Sequence, residues 1–289
     1  MRTRKVLGGV LLAVLIKFAS DIASSLVANG FFLLNVPECV CIAVMGIFYL
    51  AFTVLFVKLI YGRCFRLSME ELGMPGLSLE RTYLIIAVLL PAAVCGVFLF
   101  LIKGTFVPSG MDNAGRLTAA VTGIVYNGIA AAFAEEILFR GVILGLLRKQ
   151  WNTAAAVIVP SVLFGLVHIM EMQEFSVSDC VQVTAAGTLA GIMFSVIAVR
   201  SGSVWNSGIV HAVWNMIIAG GFLVIGMQPA DSALMTYVVD AAHPLLTGGV
   251  FGAEASVIAM AGYVIVAFVV CRCGRSCHPE ELKAEGSAV

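Results

Sequence analysis

Residues 117–147 read LTAAVTGIVYNGIAAAFAEEILFRGVILGLL. As a helix this stretch is long enough to cross a hydrocarbon core of about 30 Å. It nevertheless carries Glu135, Glu136 and Arg140. An ionisable group inside a bilayer costs from about 3 to more than 10 kcal/mol, depending on how the cost is measured, and those that persist face a polar interior and mark function. This one segment therefore points to both a membrane fold and a polar site inside it.

The rest of the chain agrees. Its 289 residues are 61% hydrophobic and only 12% charged, against roughly 25% charged in an average soluble domain. Such a chain cannot cover itself with a solvated surface. Seventeen basic residues balance seventeen acidic ones, so no broad field attracts nucleic acid. The expected fold is an all-α polytopic membrane bundle of about eight transmembrane helices, at 6–28, 38–61, 82–103, 117–139, 153–171, 181–199, 204–226 and 250–271. Strand-like alternation is absent, which excludes a barrel.

The basic residues orient the bundle. Arg2, Arg4, Lys5, Lys58, Arg63, Arg66, Arg81, Arg140, Arg148, Lys149, Arg200, Arg272, Arg275 and Lys283 fall on one side, and Lys103 and Arg116 on the other. Glu171, Glu174, Asp179, Asp231 and Asp240 occupy the opposite loops. The positive-inside rule then makes both termini cytoplasmic. A charged start before an apolar run also suits a signal peptide, but Lys17 interrupts that run. Three regions follow: 1–116 with three helices and the cytoplasmic loop 62–81, a core at 117–226, and 227–289 with an outer loop, the last helix and a tail. Short interfacial helices are expected in 62–81 and 227–249.

Three polar groups rank as candidates. Glu136 and Arg140, four residues apart, share a helix face and can pair, whereas Glu135 projects about 100° away and has no partner within its own helix. His168 follows Phe164 by one turn, so the ring can wall the imidazole; Pro160 opens this stretch. A lone histidine in an apolar helix is more often a satisfied core residue than a ligand. His211 and Asn215 stack on one face and can donate two hydrogen bonds to one point, or serve only as a clasp between helices. Counted from the cytoplasmic ends at about 1.5 Å per residue, their depths overlap. That overlap suggests one pocket, with a water-entry cleft toward the cytoplasm.

Glu-Glu-x-x-x-Arg, Phe-x-x-x-His and His-x-x-x-Asn, in this order over residues 135–215, together resemble the CAAX-processing and bacteriocin-processing (CPBP, or Abi) family of intramembrane proteases. Glu70-Glu71-Leu72-Gly73 is similar to a less diagnostic feature of that family. The resemblance implies a catalytic core at 117–226 that hydrolyses a peptide bond of a membrane-associated peptide or lipidated protein. In it Glu135 and His168 activate water, His211 and Asn215 stabilise the oxyanion, and Glu136, Arg140 and Phe164 support them. Glu135, His168 and His211 also carry donors suited to a divalent metal such as zinc. A metal-free glutamate mechanism uses the same side chains, so the residue types leave that choice open. The short tails and the lack of a targeting signal lead to the expectation of an integral, multi-pass protein of a bacterial plasma membrane.

Other chemistries lack their signatures: there is no His-Glu-x-x-His, no Gly-x-Ser-x-Gly and no phosphate-binding Gly-x-x-x-x-Gly-Lys. Lys17 and Asp21 read as a structural ion pair within the first helix. Gly141/Gly145 and Gly187/Gly191 read as helix contacts. Cys271, Cys273, Cys277 and His278 read as reduced thiols and a bystander rather than a zinc or palmitate site, and His243 as incidental. The competing reading is a non-catalytic scaffold, immunity protein or transporter that uses the same buried groups for binding.

Overall fold

The computed structural model describes residues 3–172, 175–240 and 243–273. Glu174, Arg275, Cys277, His278 and Lys283 lie outside the described residues, as does the side chain of Cys273. The fold is a bundle of apolar helices. Among the described residues five helices are long and apolar enough to cross a membrane: α1 (Thr3–Leu33), α2 (Glu38–Phe65), α3 (Arg81–Leu101), α5 (Thr153–Glu171) and α6 (Val177–Ser201). The other three expected spans fall on shorter or interrupted elements. A continuous run over 113–150, here α4, alternates α-helical and wider π-helical segments. Helix α7 joins Val204–Trp214 to a π turn at Asn215–Ala219, and α9 is Val257–Cys273. A four-residue turn of helix, α8 (Pro244–Thr247), precedes α9.

The helices are turned inside out relative to a soluble bundle. On α1, Leu7, Leu11, Leu15, Ile22 and Leu26 face outward, while Gly9, Ala13, Lys17, Ser20 and Ser24 are buried. Lipid is as apolar as leucine, so large aliphatics gain nothing by turning inward, and small or polar residues line the helix contacts. One close contact is that of α5 against α6. A Cβ on Gly187 would lie 2.7 Å from Gly165 Cα, and one on Gly191 would lie 2.8 Å from Ser161 Cα. Gly141 and Gly145 do not follow the expected helix–helix reading: they face the backbone of Leu72 and Glu71 in the 62–81 loop.

That loop clamps the C-terminal end of α4 and the start of α7. Ser68 and Glu71 form a reciprocal capping box, Ser68 N to Glu71 Oε2 at 2.8 Å and Glu71 N to Ser68 Oγ at 3.1 Å. Leu72 is buried among Ile143, Leu146 and their neighbours. Val204 N donates to Gly73 O, Trp205 Nε1 to Pro75 O and Glu80 N to Asn206 Oδ1. Lys149 reaches Glu71 at 2.7 Å. Hydrogen bonds from Lys149 and from the Ser68 backbone hold the Glu71 carboxyl down to about 2. Its contribution is therefore present at neutral pH and lost as the pH falls through the carboxylate range toward 2.

At the opposite end the sequence reading needs correction. Gly104–Pro108 (β1), Leu223–Gly226 (β2) and Met235–Val239 (β3) form a small sheet in the order β1-β3-β2, antiparallel then parallel. The expected span 204–226 stops at Ala219, because Gly220 and Gly221 end the helix and Gly221 takes φ +76°. The apolar residues beyond it satisfy their backbone by strand pairing instead. The expected span 250–271 likewise starts late, at Val257, after the turn Ala253–Ala255. The loop 227–249 holds a strand as well as the expected short helix.

Leu72→Ala is expected to cost about 2–5 kcal/mol, the usual price of an aliphatic cavity. Glu71→Gln should cost less than about 1 kcal/mol, because that pair is half exposed. Thermal unfolding of the two variants in detergent checks the contrast.

Candidate active site

A cavity of about 450 Å³ lies among α1, α2, α4, α5, α6, α7 and the turn before α9. Glu135, Phe164, His168, His211 and Asn215 all line it. Glu136 and Arg140 do not; they lie beneath it, both fully buried.

Wide π turns flank the Glu135-Glu136 pair, at Thr122–Ala131 and Glu136–Ile143, and a third begins at Asn215. Such turns concentrate at functional sites. They bring α4 and α7 close together: a Cβ on Gly123 would lie 2.0 Å from Gly220 O, and Asn215 Nδ2 donates to Asn127 O at 3.0 Å.

Glu136 Oε1 is the floor of the site. Arg140 Nη1 approaches it at 2.9 Å and His211 Nδ1 at 3.1 Å. Arg140 Nη2 also donates to Gly191 O, and its guanidinium sits 4.3 Å from the Phe164 ring centre and 5.2 Å from that of Phe194. The guanidinium is thus enclosed by a carboxylate and aromatic faces, while its Nε makes no hydrogen bond. The sequence count placed Arg140 among the cytoplasmic cations; it is instead a buried strut.

The imidazoles are oriented through the same kind of contact. A carboxylate only accepts, so His211 carries its proton on Nδ1 toward Glu136, and Nε2 points to Glu135 Oε2 at 3.9 Å. Phe194 stacks on that ring at 4.5 Å. His168 Nδ1 lies 2.7 Å from Phe164 O, so it too holds its proton on Nδ1 and leaves Nε2 as an acceptor. Phe164 covers the His168 ring at 4.4 Å.

Glu135 has a partner that its own helix does not supply. Lys17 Nζ of α1 lies 3.4 Å from Glu135 Oε1 and 3.1 Å from Glu171 Oε1. The expected Lys17–Asp21 pair is not formed; Asp21 instead accepts from Tyr126 Oη at 2.9 Å. Lys17, Asp21, Tyr49, Glu171 and Glu254 all line the cavity. Sequence reasoning missed Lys17 and Glu254, although each is an ionisable residue within a predicted span, the signal used for the others. Glu171 read only as a loop acid. Among the described residues no group of three His, Cys, Asp or Glu side chains could hold a metal ion. Glu135, His168 and His211 all line the cavity, with His211 Nε2 3.9 Å from Glu135 Oε2 and His168 engaged through Nδ1 alone, but as placed they do not form such a group.

Residues 116–217 match the family described as Type II CAAX prenyl endopeptidase Rce1-like. The chain carries an Rce1-like domain. That segment spans α4 to the π turn of α7 and so includes Glu135, Glu136, Arg140, His168, His211 and Asn215. Lys17 and Glu254, on α1 and before α9, lie outside it. No curated protein and no solved structure matches the chain. The apolar helices, together with this similarity of residues 116–217 to a membrane protease family, support an integral membrane protein.

Removing Lys17 leaves a buried carboxylate uncompensated. Lys17→Met is expected to lose about 3 kcal/mol, the lower end for breaking a buried pair, and Lys17→Met with Glu135→Gln to regain much of it. Thermal stability of the wild type, both single variants and the double variant measures the coupling.

Proposed function

We propose that this protein is an intramembrane endopeptidase that hydrolyses a peptide bond of a membrane-associated peptide or lipidated protein. The observation that carries the reading is the convergence of Glu135, His168, His211 and Asn215, from three helices of the Rce1-like domain, on one cavity. The eight helices lie with both termini cytoplasmic, in accord with the basic residues at one end of the bundle.

In this mechanism a water held between Glu135 and His168 Nε2 attacks the scissile carbonyl carbon. Glu135 takes a proton from that water and delivers it to the leaving amine as the C–N bond breaks. The negative oxygen of the tetrahedral intermediate lies against His211 and Asn215. One proton of Asn215 Nδ2 is given to Asn127 O, which fixes the carboxamide and leaves the second for the substrate. His211 gives its Nδ1 proton to Glu136, so donation from Nε2 requires both ring nitrogens to be protonated. The carboxylates of Glu136 and Glu135 on its two sides are the groups that would hold such an imidazolium. Lys17 balances the charge of Glu135 while Oε2 remains turned toward the reacting groups. Arg140 acts one layer below, keeping Glu136 available to His211.

Glu135→Gln is expected to abolish cleavage. In cells expressing equal membrane amounts of wild type or variant, defined peptide termini should vanish from the peptidome with the variant; identical peptidomes would refute the reading. Asn215→Ala should lower the cleavage rate of a peptide found that way by about 10²–10³-fold, the usual loss for one oxyanion donor, with little change in thermal stability.

A further inference from the structure

The cavity has a closed end and an open one, and they can be told apart by the residues that line them. Toward the ends of α4 and α6 that carry Arg148, Lys149 and Arg200, the space below Glu136 is filled. Leu138, Phe139, Val142, Ile143 and Leu146 of α4 are fully buried there, with Leu72 of the clamping loop packed among them. The lining residues extend the other way. Glu171 closes the last turn of α5, Ala219 ends α7, and Phe251 and Glu254 belong to the turns before α9. All four stand at the end of the bundle that carries the three-stranded sheet, opposite the basic residues. The depth count from sequence suggested a cytoplasmic cleft, and this geometry reverses it: His168 and Glu171 end their helix at the far side.

The charge of the open end adds a second constraint. Four acidic side chains line the cavity, Asp21, Glu135, Glu171 and Glu254, against one lysine or arginine, Lys17. Lys17 is already engaged by Glu135 and Glu171. A peptide ending in a free carboxylate beside these acids would meet like charge, whereas an amine or lysine side chain would meet its complement.

We infer that the site takes its substrate from the non-cytoplasmic face of the membrane, as a peptide that presents positive charge to Glu171. The inference rests on the peptidase reading above for the role of the bound peptide. By the same geometry, the carboxylate terminus of a cytoplasmic lipidated protein is a poor fit on two grounds, the side from which it arrives and its charge.

The test uses full-length protein in sealed right-side-out and inside-out vesicles. All native cysteines are replaced, except Cys64 in a reference variant, where it marks the loop 62–81 face and is exposed. Ala219→Cys places a thiol in the cavity wall, and Ala131→Cys, also lining it, is the second choice should the first not accumulate. A membrane-impermeant maleimide is expected to label the cavity thiol about tenfold faster from the non-cytoplasmic side, since thiol reaction follows access, and Cys64 from the cytoplasmic side. Labelling of the cavity thiol from the Cys64 side only, or from neither side, overturns the inference.

The charge requirement is read in the same vesicles carrying Glu135→Gln, so that no peptide is consumed. An amidated lysine-bearing peptide added outside should slow cavity labelling about fivefold more than its glutamate-bearing, free-carboxylate counterpart, the scale of a single charge contact. Equal protection, no protection, or stronger protection by the acidic peptide overturns that part. The labelling pattern does not depend on catalysis. An unchanged peptidome together with outward labelling would therefore reject the peptidase reading and leave the outward mouth standing.

Discussion

A carboxylate placed inside a bilayer must be compensated by a charge or donor nearby, and the architecture around Glu135 and Glu136 follows from that requirement. Two adjacent acids on one helix point about 100° apart, so each takes its own cation, Arg140 or Lys17, with only His211 standing between them. Glu136 turns down to Arg140 and His211. Glu135 turns toward α1, where Lys17 meets it. Each contact fixes a different helix: α7 through His211, α6 through Arg140 and the Gly191 carbonyl, and α1 through Lys17. Close packing of α5 on α6, which only glycines at 165, 187 and 191 allow, then sets His168 across the cavity.

The division of labour between the two acids has a chemical consequence. Glu136 spends its oxygen on orienting an imidazole and a guanidinium, both buried and enclosed by Phe164 and Phe194. It acts through other groups and touches no cavity space. Glu135 keeps one oxygen against Lys17 and the other open. Arg140 and Lys17 are thus not equivalent counter-ions: one locks the floor, while the other balances the acid facing the cavity and ties it to a helix outside the Rce1-like segment. The clamp made by residues 68–76 seals the C-terminal end of α4 and the start of α7, so one side of the bundle is a packed core and the other holds the space.

The polar motifs were legible because ionisable residues stand out against an apolar background and helical spacing shows which of them share a face. Glu136 with Arg140, and His211 with Asn215, needed nothing more. Lys17 was misread because i,i+4 spacing offered Asp21 as a partner within α1, and local spacing carries no information about a helix 118 residues further along the chain. Asp21 bonds Tyr126 instead. The strand at Leu223–Gly226 was misread because hydropathy does not distinguish an apolar helix from an apolar strand; the Gly220-Gly221 break does. Gly141 and Gly145 looked like a helix-contact motif, but small residues admit any close backbone, and here that backbone is a loop.

By itself the sequence determined that the chain is a membrane-embedded helical bundle, which of its residues are polar where polarity is costly, and which end of the bundle is basic. These are properties of composition and of spacing within one helix. Only the tertiary structure decided which cation neutralises Glu135, that His211 holds its proton on Nδ1 toward Glu136, and that the cavity lies on the side of these groups away from the packed residues around Leu72. Each of these depends on helices distant in sequence meeting at a common depth, and that meeting is set by glycine crossings, by the clamping loop, and by the need to pair every buried charge.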